Sequence, residues 1–161
     1  MRLPPFQALL DAHGADVHRF LVASVGRIDA DDCYQETWLA ALRAYPRLRD
    51  ASNLRSWILT VAHRKAIDHV RARSRRPLPV AEADALVDAA PSPPPAPVPD
   101  SDGDIRAQVA RLPPKQRTAL ALRFVADSAY AEIASVMQTS EEAARRNVHE
   151  GLNRLREESR P

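Results

Sequence analysis

Apolar residues along this chain fall into helical patterns on either side of a stretch that has none. In PFQALLDAHGADVHRFLVASVG, residues Phe6, Leu9, Leu10, Val17, Phe20, Leu21 and Val25 recur at helical intervals, and Gly14 predicts a break. In DADDCYQETWLAALRAY, Tyr34, Trp38, Leu42 and Tyr45 repeat at steps of four, four and three. Asp29 or Asp31 is placed to cap this helix and Pro46 to end it. In NLRSWILTVAHRKAIDHVRARSRR, one face carries Leu54, Trp57, Ile58, Val61, Ala62, Ala66 and Val70. Arg64, Arg71 and Arg75 follow a different face of the same helix. Nothing in this half reads as a ladder of strands.

The second half repeats the theme with shorter elements. A helix ends near Leu112, and Pro113–Pro114 open another, since proline is tolerated in a first turn. Leu120 and Phe124 are predicted to supply its inner face. Residues 129–137 form a third helix with Tyr130, Ile133, Ala134 and Met137 on one side. QTS is a three-residue turn, and Ser140 caps a fourth helix over 141–156. Short helices, a tight turn and a helix bearing Arg145 and Arg146 near its start make a helix-turn-helix pattern. The expected fold is all-α: two small helical domains, residues 1–76 and 105–161.

Between them lies RPLPVAEADALVDAAPSPPPAPVPDSDGD. Residues 77–104 hold eight of the fourteen prolines, six acids and no base. Proline removes backbone donors, and too little apolar surface remains to offset the entropy of ordering. An extended, polyproline-like acidic linker is predicted, with room for a weak helical turn at 81–89. The net charge of +2 therefore conceals a segregation: +5 before the linker, −6 within it and +3 after it. Basic blocks of this kind steer encounters with polyanions.

The remaining composition narrows the function. The single cysteine, Cys33, excludes an internal disulfide framework and is read as a small core residue. No run approaches the ~18 apolar residues of a membrane span, and MRLPPFQALLDAHGAD has too short an apolar stretch for a secretory signal. A cytoplasmic protein is expected. His13, His18, His63, His69 and His149 are scattered, and none of them form the i, i+4 pair of a helical metal site. Four glycines make no phosphate loop. An enzyme is disfavoured, and neither cofactor nor metal is expected. The basic run in residues 64–76 has an ordinary reading as a solvated face and a functional one as a surface that meets phosphates.

Taken together, the segments resemble an extracytoplasmic-function (ECF) sigma factor, the small two-domain class of bacterial transcription initiation factor. DDCYQETWLAALRAY is similar to the family's polymerase-binding helix, D-x-x-Q-E-x-F/W-L-x-A. LRSWILTVAHRKAIDHVRARSRR is similar to its promoter-reading helix, W-L-x-x-I-A-x-N-x-x-I-D-x-x-R. LPPKQRTALALRFVADSAYAEIASVMQTS is similar to the L-P-x-x-x-R…Y-x-E-I-A…S of its C-terminal domain. The three occur in order over nearly the whole chain.

The resemblance implies partners and residues. Gln35 and Glu36 match the pair that docks on core RNA polymerase, with Asp32, Trp38 and Leu42 on the adjoining surface. Trp38 also lies on the apolar stripe, which leaves core and interface both open for it. Trp57, Arg64, Lys65, Arg71 and Arg75 match positions that meet the minus-10 element of promoter DNA as its strands separate, and Arg64 stands where many relatives have asparagine. Glu142, Arg145, Arg146 and His149 fall on the helix that reads the minus-35 element. Gln138 and Asp127 replace glycines there, Thr139 an aliphatic residue, and Asn147 and Glu150 basic ones. Aspartate tolerates a left-handed turn better than glutamine does. An anti-sigma factor is a further partner the resemblance allows. The alternative reading is a helix-turn-helix regulator that acts at promoters without joining polymerase.

Overall fold

The computed structural model describes residues 2–75 and 101–160, and the side chains of residues 74–75 and 101–104 lie outside that description. Of the linker expected over residues 77–104, residues 77–100, with the turn at 81–89, also lie outside the described residues, whereas 101–104 are helical. Every described element is helical. α1 spans Phe6–Val25, α2 Arg27–Ala44 and α3 Leu54–Arg75, with a 3-10 turn at Tyr45–Arg47. α4 spans Ser101–Arg111, α5 Pro114–Leu120, α6 Tyr130–Met137 and α7 Glu141–Glu158, and a π-type turn at Ala121–Val125 follows α5. Helix α4 thus begins four residues before the boundary expected at residue 105.

In the first half, α1, α2 and α3 pack against one another around Val17, Phe20, Leu21, Cys33, Ile58 and Leu59, all fully buried. Gly14 does not break α1. It sits buried in mid-helix because the α2 helix needs the space: a Cβ there would lie 2.9 Å from the Tyr34 hydroxyl. Nor do Asp29 or Asp31 cap α2. The helix starts two residues earlier at Arg27 behind Gly26, whose φ of 87° turns the chain sharply between α1 and α2. Asp29 instead accepts from Arg73 near the end of α3.

The apolar stripes are rotated from their predicted faces. In α2 the buried residues are Ala30, Cys33, Thr37, Trp38 and Ala41, while Leu42 points outward. In α3 they are Ser56, Ile58, Leu59, Ala62 and Ala66, with Trp57 at the margin and Val70 exposed. Aromatic edges close the base of this domain. Phe6 meets Trp38 at 5.8 Å and Tyr45 at 5.3 Å, both edge-on, and the Tyr45 hydroxyl donates to the Pro4 carbonyl. Such pairs contribute about 0.5–1.5 kcal/mol each beyond burial.

In the second half α5 packs along α7, and Gly151 permits their approach: a Cβ there would fall 2.8 Å from Leu120 Cδ1. Phe124 does not share the inner face with Leu120. The π turn swings it out, leaving it 62% exposed while Leu122 is buried. Asp127 and Gln138 take the left-handed conformation where glycine would be cheapest, with φ of 53° and 54°. Ser140 accepts the Ala143 N–H at 3.1 Å and starts α7, a cap that contributes about 1 kcal/mol.

The two halves touch. α6 packs against α3, and the π turn against α1. Arg55, in the first turn of α3, reaches across this seam.

Candidate nucleic-acid interface

Three exposed surfaces carry the residues singled out from the sequence. The first is on α2. At about 100° per residue, Ile28, Asp32, Gln35, Glu36, Leu39 and Leu42 share roughly one third of the helix circumference. All are exposed, Ile28 by 92%, Leu39 by 53% and Leu42 by 50%. Apolar groups beside polar ones, on a face that no described element covers, suit docking of another helix. Trp38 is not on this face. It is 8% exposed and packs beneath it against Phe6 and Tyr34, because its indole fills the gap between α1 and α2. Ile28 and Leu39 were missed from the sequence: an outward apolar residue looks like core until burial is known.

The second surface runs along α3. Trp57, Thr60, Val61, Arg64, Asp68 and Arg71 follow one side, with Arg75 next in register, though its side chain lies outside the described residues. Arg64 and Arg71 are exposed and, among the described residues, hold no ion pair. Lys65 stands about 100° round from Arg64 and is half-buried, so it flanks the stripe. Arg73 is committed to Asp29.

Where this stripe begins, a groove of about 390 Å³ opens between α3 and the loop before it, lined among others by Asp50, Ser52, Trp57, Thr60 and Arg64. Asp50 accepts the Ser52 N–H at 2.8 Å. Hydrogen bonds from the Ser52 backbone and side chain hold its carboxyl below the ordinary range. The groove thus offers a fixed acceptor, a guanidinium donor and the rim of an indole. Those are the elements that grip the edge and face of an unstacked base. The pKa of His63, next to Arg64 in the chain, is lowered by burial and by the charge of Arg64. A larger cleft, of about 1260 Å³, borders Val22, Arg27, His69, Arg73 and Arg106, but none of the stripe residues.

The third surface is the start of α7. Glu142, Arg145, Arg146 and His149 are all exposed on one side. Arg145 pairs with Glu141 at 3.4 Å and lies over the Tyr130 ring, 5.1 Å from its centroid; Arg123 covers the same ring at 4.4 Å. His149 Nε2 meets Asn153 at 3.2 Å. Arg146 has no such neighbour among the described residues. A helix led by exposed arginines after a tight turn can enter a major groove. No group of three or more potential metal ligands occurs among the described residues.

These surfaces lie on segments with known relatives. Residues 9–76 match the family described as Sigma-70 region 2, and residues 102–155 match Sigma-70, region 4. The ECF RNA polymerase sigma factor SigC of Mycobacterium tuberculosis is 31% identical over 132 residues, 81% of this chain and 70% of that protein. SigX of Bacillus subtilis, another ECF RNA polymerase sigma factor, is 27% identical over 158 residues, 94% of this chain and 81% of its own. The fold is shared with the sigma factor RpoE in its co-crystal with the anti-sigma factor NepR from Bartonella quintana, with a TM-score of 0.74 and 20% identity over 96% of each chain. It is shared also with CnrH bound to the cytosolic domain of CnrY, at a TM-score of 0.68 and 20% identity over 93% of this chain and 84% of that one. Two helical modules, matched in order and joined in one chain, place this protein in the ECF family of RNA polymerase sigma factors.

Proposed function

We propose that the chain binds core RNA polymerase through the exposed face of α2, holds the separated minus-10 strand on α3 and its groove, and reads the minus-35 element with α7. Family membership makes it a promoter-specificity factor of RNA polymerase. The division of labour among the three faces is our assignment. The observation that carries it is the alignment of exposed arginines with the groove: Arg64 lines it and Arg71 continues the same face of α3, while Arg146 is exposed near the start of α7. Exposed guanidinium groups position a nucleic-acid backbone, and the groove beside Arg64 adds base contacts.

The family is non-catalytic, and we assign the chain no reaction and no cofactor. No helix among the described residues is long and apolar enough to cross a membrane. The chain is assigned to the cytoplasm, where polymerase and chromosome are. RpoE is seen in complex with an anti-sigma factor and CnrH in complex with the cytosolic domain of CnrY, and an anti-sigma factor completes the assigned set beside core polymerase and promoter DNA.

The test is the double substitution Gln35→Ala, Glu36→Ala. Both side chains are exposed on α2, so stability should change by no more than about 0.5 kcal/mol. Loss of two polar contacts at the centre of a docking face should cost several kcal/mol of binding, roughly a hundredfold or more in affinity. Co-elution with core polymerase is the readout. A normal melt with full co-elution would refute the docking face and favour a regulator that acts without polymerase.

A further inference from the structure

Among the described residues that line the groove at the start of the α3 stripe, only Asp50 and Arg64 are charged. Other polar groups around it are engaged in starting the helix. Asn53 Oδ1 accepts the Ser56 N–H at 3.0 Å, and the Thr60 hydroxyl donates to the Ser56 carbonyl at 2.8 Å. Asp50 and Arg64 are both exposed, and they do not pair with each other: the hydrogen bonds to the Asp50 carboxylate come from Ser52. A volume of about 390 Å³ lies at the small end for ligand sites and suits a single base. An exposed acid repels phosphate, so a surface that merely held a backbone would gain nothing from Asp50. A surface that reads a base has a use for it.

We infer that the groove selects guanine: Asp50 accepts the two adjacent N–H groups of the base's pairing edge, and Arg64 donates to its O6 and N7. This rests on the assignment of the groove to the minus-10 strand and adds the identity of the base.

The four bases differ in what they show to a carboxylate. Guanine alone carries two adjacent N–H donors, on N1 and N2, so each carboxylate oxygen meets a hydrogen. Cytosine and adenine place an amino group beside a ring nitrogen whose lone pair would face the second oxygen. Thymine places its one N–H between two carbonyl oxygens. Lone pairs turned against an ionised carboxylate repel it, so the wrong bases are rejected as well as the right one held. Arg64 applies a second criterion. Its planar fork matches O6 and N7 of guanine, whereas adenine sets an amino donor beside N7, against which a guanidinium has no acceptor to offer. In a duplex, N1 and N2 of guanine are taken up by cytosine. The selection therefore operates only on a base that has left its partner, which is how single strands are read.

The test uses the full chain at low salt with fluorescent single-stranded 12-mers of thymine, in which one central position is guanine, adenine, cytosine or thymine. The guanine 12-mer should bind about tenfold more tightly than the other three, the effect of about one bidentate contact. Hypoxanthine at that position lacks the N2 amino group and should lose the preference. Asp50→Asn should lose it too: the amide can still accept from Ser52 but offers a donor in place of the second acceptor. 7-Deazaguanine lacks N7, and should bind the wild type more weakly than guanine does but make no difference to Arg64→Ala. Both side chains are exposed, so neither substitution should disturb the fold. Equal binding of the four 12-mers by the wild type, or a guanine preference that survives in Asp50→Asn, overturns the selection. If Arg64→Ala then weakens all four alike, the groove still holds the strand and only the choice of base falls. Binding of no 12-mer, or binding indifferent to both substitutions, overturns the groove's assignment and the selection with it.

Discussion

The two arginines in the second turn of α7 have different surroundings, and separate substitution should distinguish their roles. Arg146 touches no described partner, so Arg146→Ala should alter stability by no more than about 0.5 kcal/mol. If it meets a base edge or phosphate, the loss should be about 1–3 kcal/mol of promoter affinity, roughly 5- to 150-fold. Arg145 is committed twice within the fold, to Glu141 at 3.4 Å and to the Tyr130 ring. The exposed i, i+4 pair is screened and contributes about 0.3–0.5 kcal/mol. The cation–ring contact adds about 0.5–1 kcal/mol, and Arg123 keeps the other share of the ring. Arg145→Ala should therefore cost about 1 kcal/mol of stability, a fall of about 4–8 °C in Tm for a domain of this size. Calorimetry of both variants and run-off transcription by the reconstituted holoenzyme, on a promoter that depends on its minus-35 element, provide the two readouts. Wild-type transcription by Arg146→Ala would refute the placement of the recognition face. Identical melts for the two variants would refute the stabilising role of the Tyr130 stack.

Two further outcomes follow from buried titratable groups. His63 and His13 both have pKa values below the ordinary histidine value, chiefly through burial, with Arg64 and Arg55 respectively adding to the effect. The unfolded chain therefore takes up protons first, and stability should fall as pH drops below about 6.5, the histidine value in unfolded chains; a denaturant midpoint that is level from pH 7.5 to 5.5 would contradict this. Cys33 is fully buried, with its thiol pushed up to about 11 by burial and then by Glu36, Asp29 and Asp32. It should react with a thiol reagent at neutral pH only at the rate of unfolding, and rapid labelling of the native protein would show that α2 is not packed as described.

Sequence spacing revealed the helices and which arginines share an exposed helix face because those features are local. Pro114 at the first turn of α5, Ser140 at the cap of α7 and the arginines after it all act within one or two turns of themselves. Asp127 and Gln138 were legible through the family resemblance, as replacements for glycines, and both take positive φ. The errors are tertiary. Gly14 reads as a helix breaker by propensity, yet its role is set by a tyrosine twenty residues away. Phe124 continues the inner face of α5 only if the helix keeps its period, and the π turn shifts that period. Arg55 carries no local mark at all. Its partners in the C-terminal half lie 71 to 77 residues distant, and an arginine early in a helix looks like any solvated charge until the halves are brought together.

The aromatic floor of the first domain also equips the chain with an optical reporter. Only two tryptophans occur in the sequence, Trp38 and Trp57, and both belong to the N-terminal half. Trp38 is sealed among Phe6 and Tyr34, remote from solvent, so its emission should be blue-shifted and indifferent to what the surface binds. Trp57 sits half-exposed at the rim of the groove, near Tyr45 and on the wall that Ser135 completes from the other side. Stacking of a base changes the surroundings of that indole alone. Intrinsic fluorescence thus separates into a constant background and a single responsive emitter, and groove occupancy can be followed in unlabelled protein.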